Sequence, residues 1–194
     1  MGLGKQAKSL SKGQIEAVLG YLAKTRWPTR NRVIFLLSVK AGLRAKEIAR
    51  LTWRMTNDSQ GEIGRTLCLL DSASKGKSGR MIPLNDQVRE ALVEYRDEVN
   101  LDVGPNVIRT ERKLSTSPQA IVNMFQRWYR HLGFVGCSSH SGRRTFITNA
   151  ARKISTVGGS LRDIQLLAGH TNLRTTQGYI DANPDAQVRV VELV

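Results

Sequence analysis

Leu166-Leu-Ala-Gly-His-Thr-Asn-Leu-Arg-Thr-Thr-Gln-Gly-Tyr179 is the stretch whose reading decides the fold. Just before it, Ser160-Leu-Arg-Asp163 has the pattern of a capping box, in which serine and acidic side chains satisfy the first amides of a helix. A short helix is therefore expected to start there and to end at Gly169. A last short helix is expected to include Thr175 to Tyr179. Working outward, a helix is predicted from about His140 to Lys153, although Gly142 weakens a helix interior near its start. Ser117-Pro118 is a capped start with proline at the first helical position, and Ile121, Met124, Phe125 and Trp128 form its apolar stripe. Gly133 is placed to stop it.

The first half of the chain reads similarly. Ser11-Lys-Gly-Gln14 is a capping box before an Ile15, Val18, Leu19, Leu22 stripe. A second helix is expected from about Thr29 to Lys40, with Gly42 ending it, and a third near Arg44 turns Ile48 and Leu51 inward. Residues 62–70 read as a strand, Ser74–Gly79 as a turn and Arg80–Leu84 as the returning strand, with Pro83 at an edge or strand end. Asn85 caps a helix with a Val88, Ala91, Leu92, Tyr95 stripe and many acidic residues, which should face solvent. Trp53, Trp128 and Phe146 are expected in the core. The fold class is α+β, mainly helical, in one domain over 1–194.

The 194 residues carry a formal charge of +14. Residues 1–60 and 105–179 are each net +9, while 61–104 and 180–194 are each net −2. Two basic blocks imply an anionic partner, nucleic acid first among them. Apolar residues make up 40%, which argues against general disorder. The longest apolar run, Val33–Leu37, is too short to span a bilayer, and the first residues lack a secretory apolar segment. Cys68 and Cys137 form neither a disulfide framework nor a metal-ligand spacing. The expected location is the cytoplasm, in association with the nucleoid. No carboxylate cluster suits a two-metal nuclease, and no phosphate-binding glycine loop is present. What remains is a scattered set of cations and one late tyrosine: Arg44, Lys75, His140, Arg143, His170 and Tyr179.

Their contexts carry a resemblance. Ala41-Gly-Leu-Arg-Ala-Lys-Glu-Ile-Ala-Arg-Leu-Thr-Trp53 resembles the first arginine box of the tyrosine recombinase (phage integrase) family. Lys75-Gly-Lys-Ser-Gly-Arg-Met-Ile-Pro-Leu84 is similar to the β-hairpin carrying that family's lysine. His140-Ser-Gly-Arg143 resembles the second box, with Gly142 where the family often has leucine and Arg144 where it often has histidine. Leu166–Tyr179 resembles the third. The resemblance implies a site-specific recombinase or integrase that cleaves and rejoins double-stranded DNA through a 3′-phosphotyrosyl link, with no metal, ATP or other cofactor.

A phosphodiester under attack gains charge on its non-bridging oxygens, and paired guanidiniums can hold them by bidentate contacts. Arg44 and Arg143 are that pair, with His140 one helical turn from Arg143. An ordinary tyrosine has a pKa of about 10 and needs a proton acceptor. His140 is the expected acceptor, His170 a donor to the phosphate, and Lys75 the acid for the leaving 5′-hydroxyl. Lys77 and Arg80 are alternatives for the acid. Glu47 either orients a basic neighbour such as Arg44 or is a solvated helix residue. Lys77, Arg80, Arg144 and Arg174 are candidate DNA contacts, and His131 has no assigned role. Two other readings stay open: a catalytically silent DNA-binding regulator with the same fold, and a type IB topoisomerase-like enzyme.

The first box begins at Ala41, so the family's N-terminal core-binding domain is expected to be absent. The chain is then either a fragment or a natural short form resembling the recombinases that invert fimbrial promoter segments. The apolar tail, about residues 181–194, is expected to dock either in cis or on a neighbouring protomer. The partners implied are DNA, further copies of the chain (dimer to tetramer) and an accessory DNA-bending protein.

Overall fold

The computed structural model describes residues 7–74, 79–99, 104–111, 113–180 and 190–192. Helix α1 (Lys12–Leu22) starts at Ser11, whose hydroxyl accepts from the Gln14 amide while the Gln14 side chain returns to the Ser11 amide. Helix α2 (Pro28–Val39) has proline at its start and buries every residue from Val33 to Val39. A helix apolar on all sides belongs in the interior. Here α2 lies between α5 (Asp86–Glu98) and α7 (Ser141–Lys153). Helix α3 (Ala45–Ala49) packs on α6 (Pro118–His131), and α4 (Trp53–Thr56) leads to the sheet. Asn85 and Ser117 cap α5 and α6 through their side chains, as their positions predict. The inner face of α5 is Val88, Ala91, Leu92 and Tyr95, and its acidic residues lie on the exposed face.

Strands β1 (Thr66–Leu69) and β2 (Arg80–Pro83) form an antiparallel pair in which Leu67 faces Ile82 and Leu69 faces Arg80. The first strand is shorter than the expected 62–70. The Asp58 carboxylate accepts from the amides of Gln60 and Glu62, and its own amide donates to the Glu62 carbonyl. That local loop takes up residues the strand would otherwise use. Pro83 ends the second strand, where its missing N–H costs nothing. The tip of the hairpin, Lys75 to Ser78, lies outside the described residues.

Helix α7 does begin at Ser141, and Gly142 is compatible with it for a steric reason. A Cβ at Gly142 would lie 2.4 Å from the Ser38 hydroxyl of α2. The glycine weakens the helix slightly but allows α2 and α7 to approach. Gly42 is at φ 67°, and a Cβ there would lie 2.4 Å from the Phe146 ring. Phe146 is half-buried outside the main core; it belongs to a smaller cluster of Ile147, Ile164 and Ala168, onto which Tyr179 also packs. After a 3-10 turn (Ile154–Val157), α8 (Leu161–Ala168) opens with the Ser160–Asp163 box and closes at left-handed Gly169. Helix α9 (Leu173–Gln177) is capped by Asn172 and ends before Tyr179, which follows it in a turn rather than inside the helix. Among the described residues no helix is long and apolar enough to cross a membrane.

Candidate active site

Arg143 is the centre of the site. Its position on the third residue of α7 aims it inward, between the end of α2 and the end of α8, and it is only 3% exposed. Its Nη1 donates to the Gly42 carbonyl at 2.6 Å and its Nη2 to the Ala168 carbonyl at 2.7 Å. Nη2 also lies 2.9 Å from Nε2 of His170. An arginine only donates, so Nε2 of His170 is bare and accepting. These contacts engage both Nη2 hydrogens. Both parallel forks of a guanidinium use Nη2, so Arg143 as placed offers single contacts through Nε and Nη1 rather than the expected bidentate pair. Burial, and then the nearby Arg44, push its pKa down to about 10, so it remains a cation at neutral pH.

Beneath the arginines lies Glu47, fully buried. One carboxylate oxygen accepts from Arg44 Nη1 at 2.9 Å and Arg80 Nη1 at 3.0 Å. The other accepts from the Arg44 amide at 2.9 Å and Arg80 Nη2 at 3.1 Å. Glu47 is thus an orienting residue and not a solvated one. Burial pushes its carboxyl upward, but Arg80 and Arg44 outweigh that and hold it below the usual range. Arg80 comes from the inner face of β2, and its Nε also donates to the Leu167 carbonyl at 2.8 Å. Its side chain is 7% exposed, so a candidate DNA contact is instead committed to the interior. The parity of the strand carried this signal: Arg80 is two residues before buried Ile82 and shares its face. Arg44, 24% exposed at its side chain, is the more accessible arginine.

His170 is buried, with Nδ1 3.0 Å from the Thr176 hydroxyl. Burial, followed by the charges of Arg143, Arg44 and Arg80, lowers its pKa to about 4. It is therefore a neutral acceptor toward Arg143, and not the phosphate donor the sequence led us to expect. Its ring stacks on that of Tyr179, with centroids 5.5 Å apart. Tyr179 is half-buried; its carbonyl accepts from Thr148 at 3.1 Å, and the Arg144 guanidinium lies 5.6 Å from its ring centre. A cleft of about 310 Å³ is lined by His140, Arg144, Arg174, Thr175 and Tyr179. His140, exposed at the N-cap of α7, shares this cleft with the tyrosine, while Arg143 is buried below.

Arg44, Arg143, His170 and Tyr179 thus converge from four chain segments. Arg174 is exposed at the rim. Lys75 and Lys77 lie outside the described residues, but the flanks of their turn are pinned: Ser74 accepts from Lys46 Nζ at 3.0 Å, and the Gly79 amide donates to Asp71 at 2.7 Å. Thr176 and Gln165 were missed in the sequence, because only the fold brings them to His170. Among the described residues no group of three His, Cys, Asp or Glu could hold a metal ion.

This arrangement can bind a phosphate by its arginines and present a phenol to it. The tyrosine recombinase XerA of Thermococcus onnurineus is 29% identical over 89% of this chain and 57% of its own length. XerC of Brucella suis is 27% identical over 97% of this chain and 60% of its own length. The chain therefore spans less than two thirds of these relatives. Among solved structures, a Tn1549 transposon integrase in complex with a circular intermediate DNA superposes with a TM-score of 0.77 at 19% identity, over 99% of this chain and 67% of that one. A XerA recombinase superposes at 0.70 and 22% identity, over 95% of this chain and 64% of that one. At these identities the structures establish the shared fold. The phage integrase family profile matches residues 8–185, nearly the whole chain, so the chain belongs to the phage integrase family.

Proposed function

We propose that this chain is the catalytic part of a site-specific DNA recombinase, cleaving and rejoining duplex DNA through Tyr179. The observation that carries the reading is the contact chain Arg143–His170–Tyr179, which sets a buried cation, a neutral imidazole and a phenol side by side. Arg44 and Arg143 stabilise the charge that develops on the scissile phosphate. The Tyr179 oxygen attacks phosphorus, its proton passing to His140 across the shared cleft. The bond to the 5′-oxygen breaks, and Lys75 protonates that oxygen. The product is a 3′-phosphotyrosyl link. Because one phosphodiester is exchanged for another, a second 5′-hydroxyl can reverse the step without metal or ATP. Arg144, Arg174 and Lys77 bind flanking phosphates.

The relatives are named recombinases and one structural neighbour holds DNA, which supports duplex DNA as the partner. Recombination requires two DNA sites, so further copies of the chain assemble on DNA, with an accessory protein bending it; most of the tail expected to dock in cis or on a neighbour lies outside the described residues. The test uses nicked suicide duplexes carrying sites that the protein selects from a random pool. Denaturing electrophoresis should show a covalent protein–DNA adduct that is lost in Tyr179→Phe. An adduct that persists in that variant refutes the assignment of the nucleophile.

A further inference from the structure

We propose that Thr176 is a positioning residue: its hydroxyl accepts the Nδ1 proton of His170, orients the ring, and thereby holds Arg143 and the Tyr179 ring in register. This rests on the strand-cleavage reading above for its consequence, but not for its geometry. Arg143 Nη2 lies 2.9 Å from Nε2 of His170, and an arginine has no lone pair to offer. Nε2 is therefore unprotonated. The single proton of the neutral ring sits on Nδ1, and the group facing it at 3.0 Å is the Thr176 hydroxyl, which accepts. Thr176 is fully buried, so water does not serve as a substitute acceptor.

The His170 backbone is already pinned. Its amide donates to the Gln165 carbonyl at 3.1 Å, and its carbonyl accepts from Gln165 Nε2 at 2.9 Å. The remaining freedom is rotation and tautomer of the ring; Thr176 constrains the rotation, and Arg143 the tautomer. Moving the proton to Nε2 would set two donors against each other at Arg143. Thr176 stands three residues before Tyr179 on α9, the helix that leads into the nucleophile. The same hydroxyl thus ties the tyrosine segment to the arginine of α7. A displaced α9 would release the imidazole, and with it one of the three acceptors that hold Arg143.

The test compares Thr176→Val, which keeps the shape and loses the acceptor, with Thr176→Ser, which keeps the hydroxyl. Nitrogen NMR of the full chain labelled at histidine reads the tautomer without DNA. The wild type should show a protonated Nδ1 and a bare Nε2 at His170, with His170→Gln assigning the signals. In Thr176→Val the Nδ1 proton should lose its hydrogen-bonded shift while Nε2 stays bare against Arg143, and Thr176→Ser should keep the wild-type signals. Single-turnover cleavage of the nicked duplex should slow about 10- to 100-fold in Thr176→Val, the consequence of a buried donor left without its partner. DNA affinity should stay within about threefold, and Thr176→Ser should recover most of the rate. A wild-type ring protonated at Nε2 overturns the proposal even if Thr176→Val fails to fold. So does a Thr176→Val protein that cleaves at the wild-type rate. If the Nδ1 signal responds as expected and no protein cleaves DNA, the strand-cleavage reading fails and the Thr176–His170 contact stands.

Discussion

Replacing Glu47 with glutamine tests the foundation of the site. The carboxylate receives four donors: Arg44 Nη1 and Arg80 Nη1 on one oxygen, the Arg44 amide and Arg80 Nη2 on the other. A glutamine can accept at only one of those positions. Its amide nitrogen then faces two donors, so two hydrogen bonds become donor–donor contacts in a fully buried place. At roughly 1.5–3 kcal/mol for each bond involving a charged group, the expected cost of the two is about 3–6 kcal/mol. That matches the general cost of breaking a buried ion pair from one side. For a chain of this size it should lower Tm by about 10 °C. Urea unfolding of wild type, Glu47→Gln, Arg80→Met and the double variant gives the coupling directly, and the double variant should be at least about 1.5 kcal/mol more stable than additivity predicts. A Glu47→Gln cost below about 1 kcal/mol, or strict additivity, would refute the idea that this carboxylate supports the arginines.

Three further outcomes follow from particular contacts. His170 has a folded pKa of about 4 against about 6.5 when unfolded. The unfolded chain therefore binds the extra proton first as pH falls, and stability is lost across that window. Between pH 7 and 5 this amounts to about 2 kcal/mol, which should be missing from the urea-unfolding profile of His170→Gln; an unchanged acid slope would contradict the neutral buried ring. Gly142→Ala places a Cβ 2.4 Å from the Ser38 hydroxyl and should cost about 1–3 kcal/mol by overpacking. In a Ser38→Gly background the same change should cost markedly less, and equal costs in both would show that the α2–α7 approach is not the constraint. Arg144→Ala and Arg174→Ala should each weaken DNA binding and reduce the slope of log affinity against log salt by about one, measured by fluorescence anisotropy; unchanged slopes would remove both from the phosphate contacts.

What was legible in the sequence was local or periodic. The caps at Ser11, Asn85, Ser117 and Ser160 work through neighbours three residues away, so spacing alone revealed them. The inner face of α5 followed from its stripe. The length of β1 did not, because the Asp58 side chain competes for the backbone just before it. The site divides in the same way. Motif order identified Arg44, Arg143, His170 and Tyr179 as belonging together. It did not show that Arg80 turns inward to Glu47, although strand parity already pointed there. Nor did it show that His170 accepts rather than donates, since its charge state depends on three arginines that only the fold brings near it.

That convergence also explains why the central cation is an arginine. Burial takes Arg143 to about 10. A comparable shift from lysine's ordinary value of about 10.4 would leave a lysine near 8, partly neutral close to neutral pH. A guanidinium keeps its charge there, at the cost of gathering three arginines in a small volume. Glu47 offsets part of that repulsion from below. The remainder falls on His170, which gives up its proton under the combined effect of burial and the arginines' field. Losing that proton is what turns Nε2 into an acceptor for Arg143. The charge on the arginine and the neutrality of the histidine are therefore one electrostatic arrangement, and any change that restores a proton to His170 must also loosen Arg143.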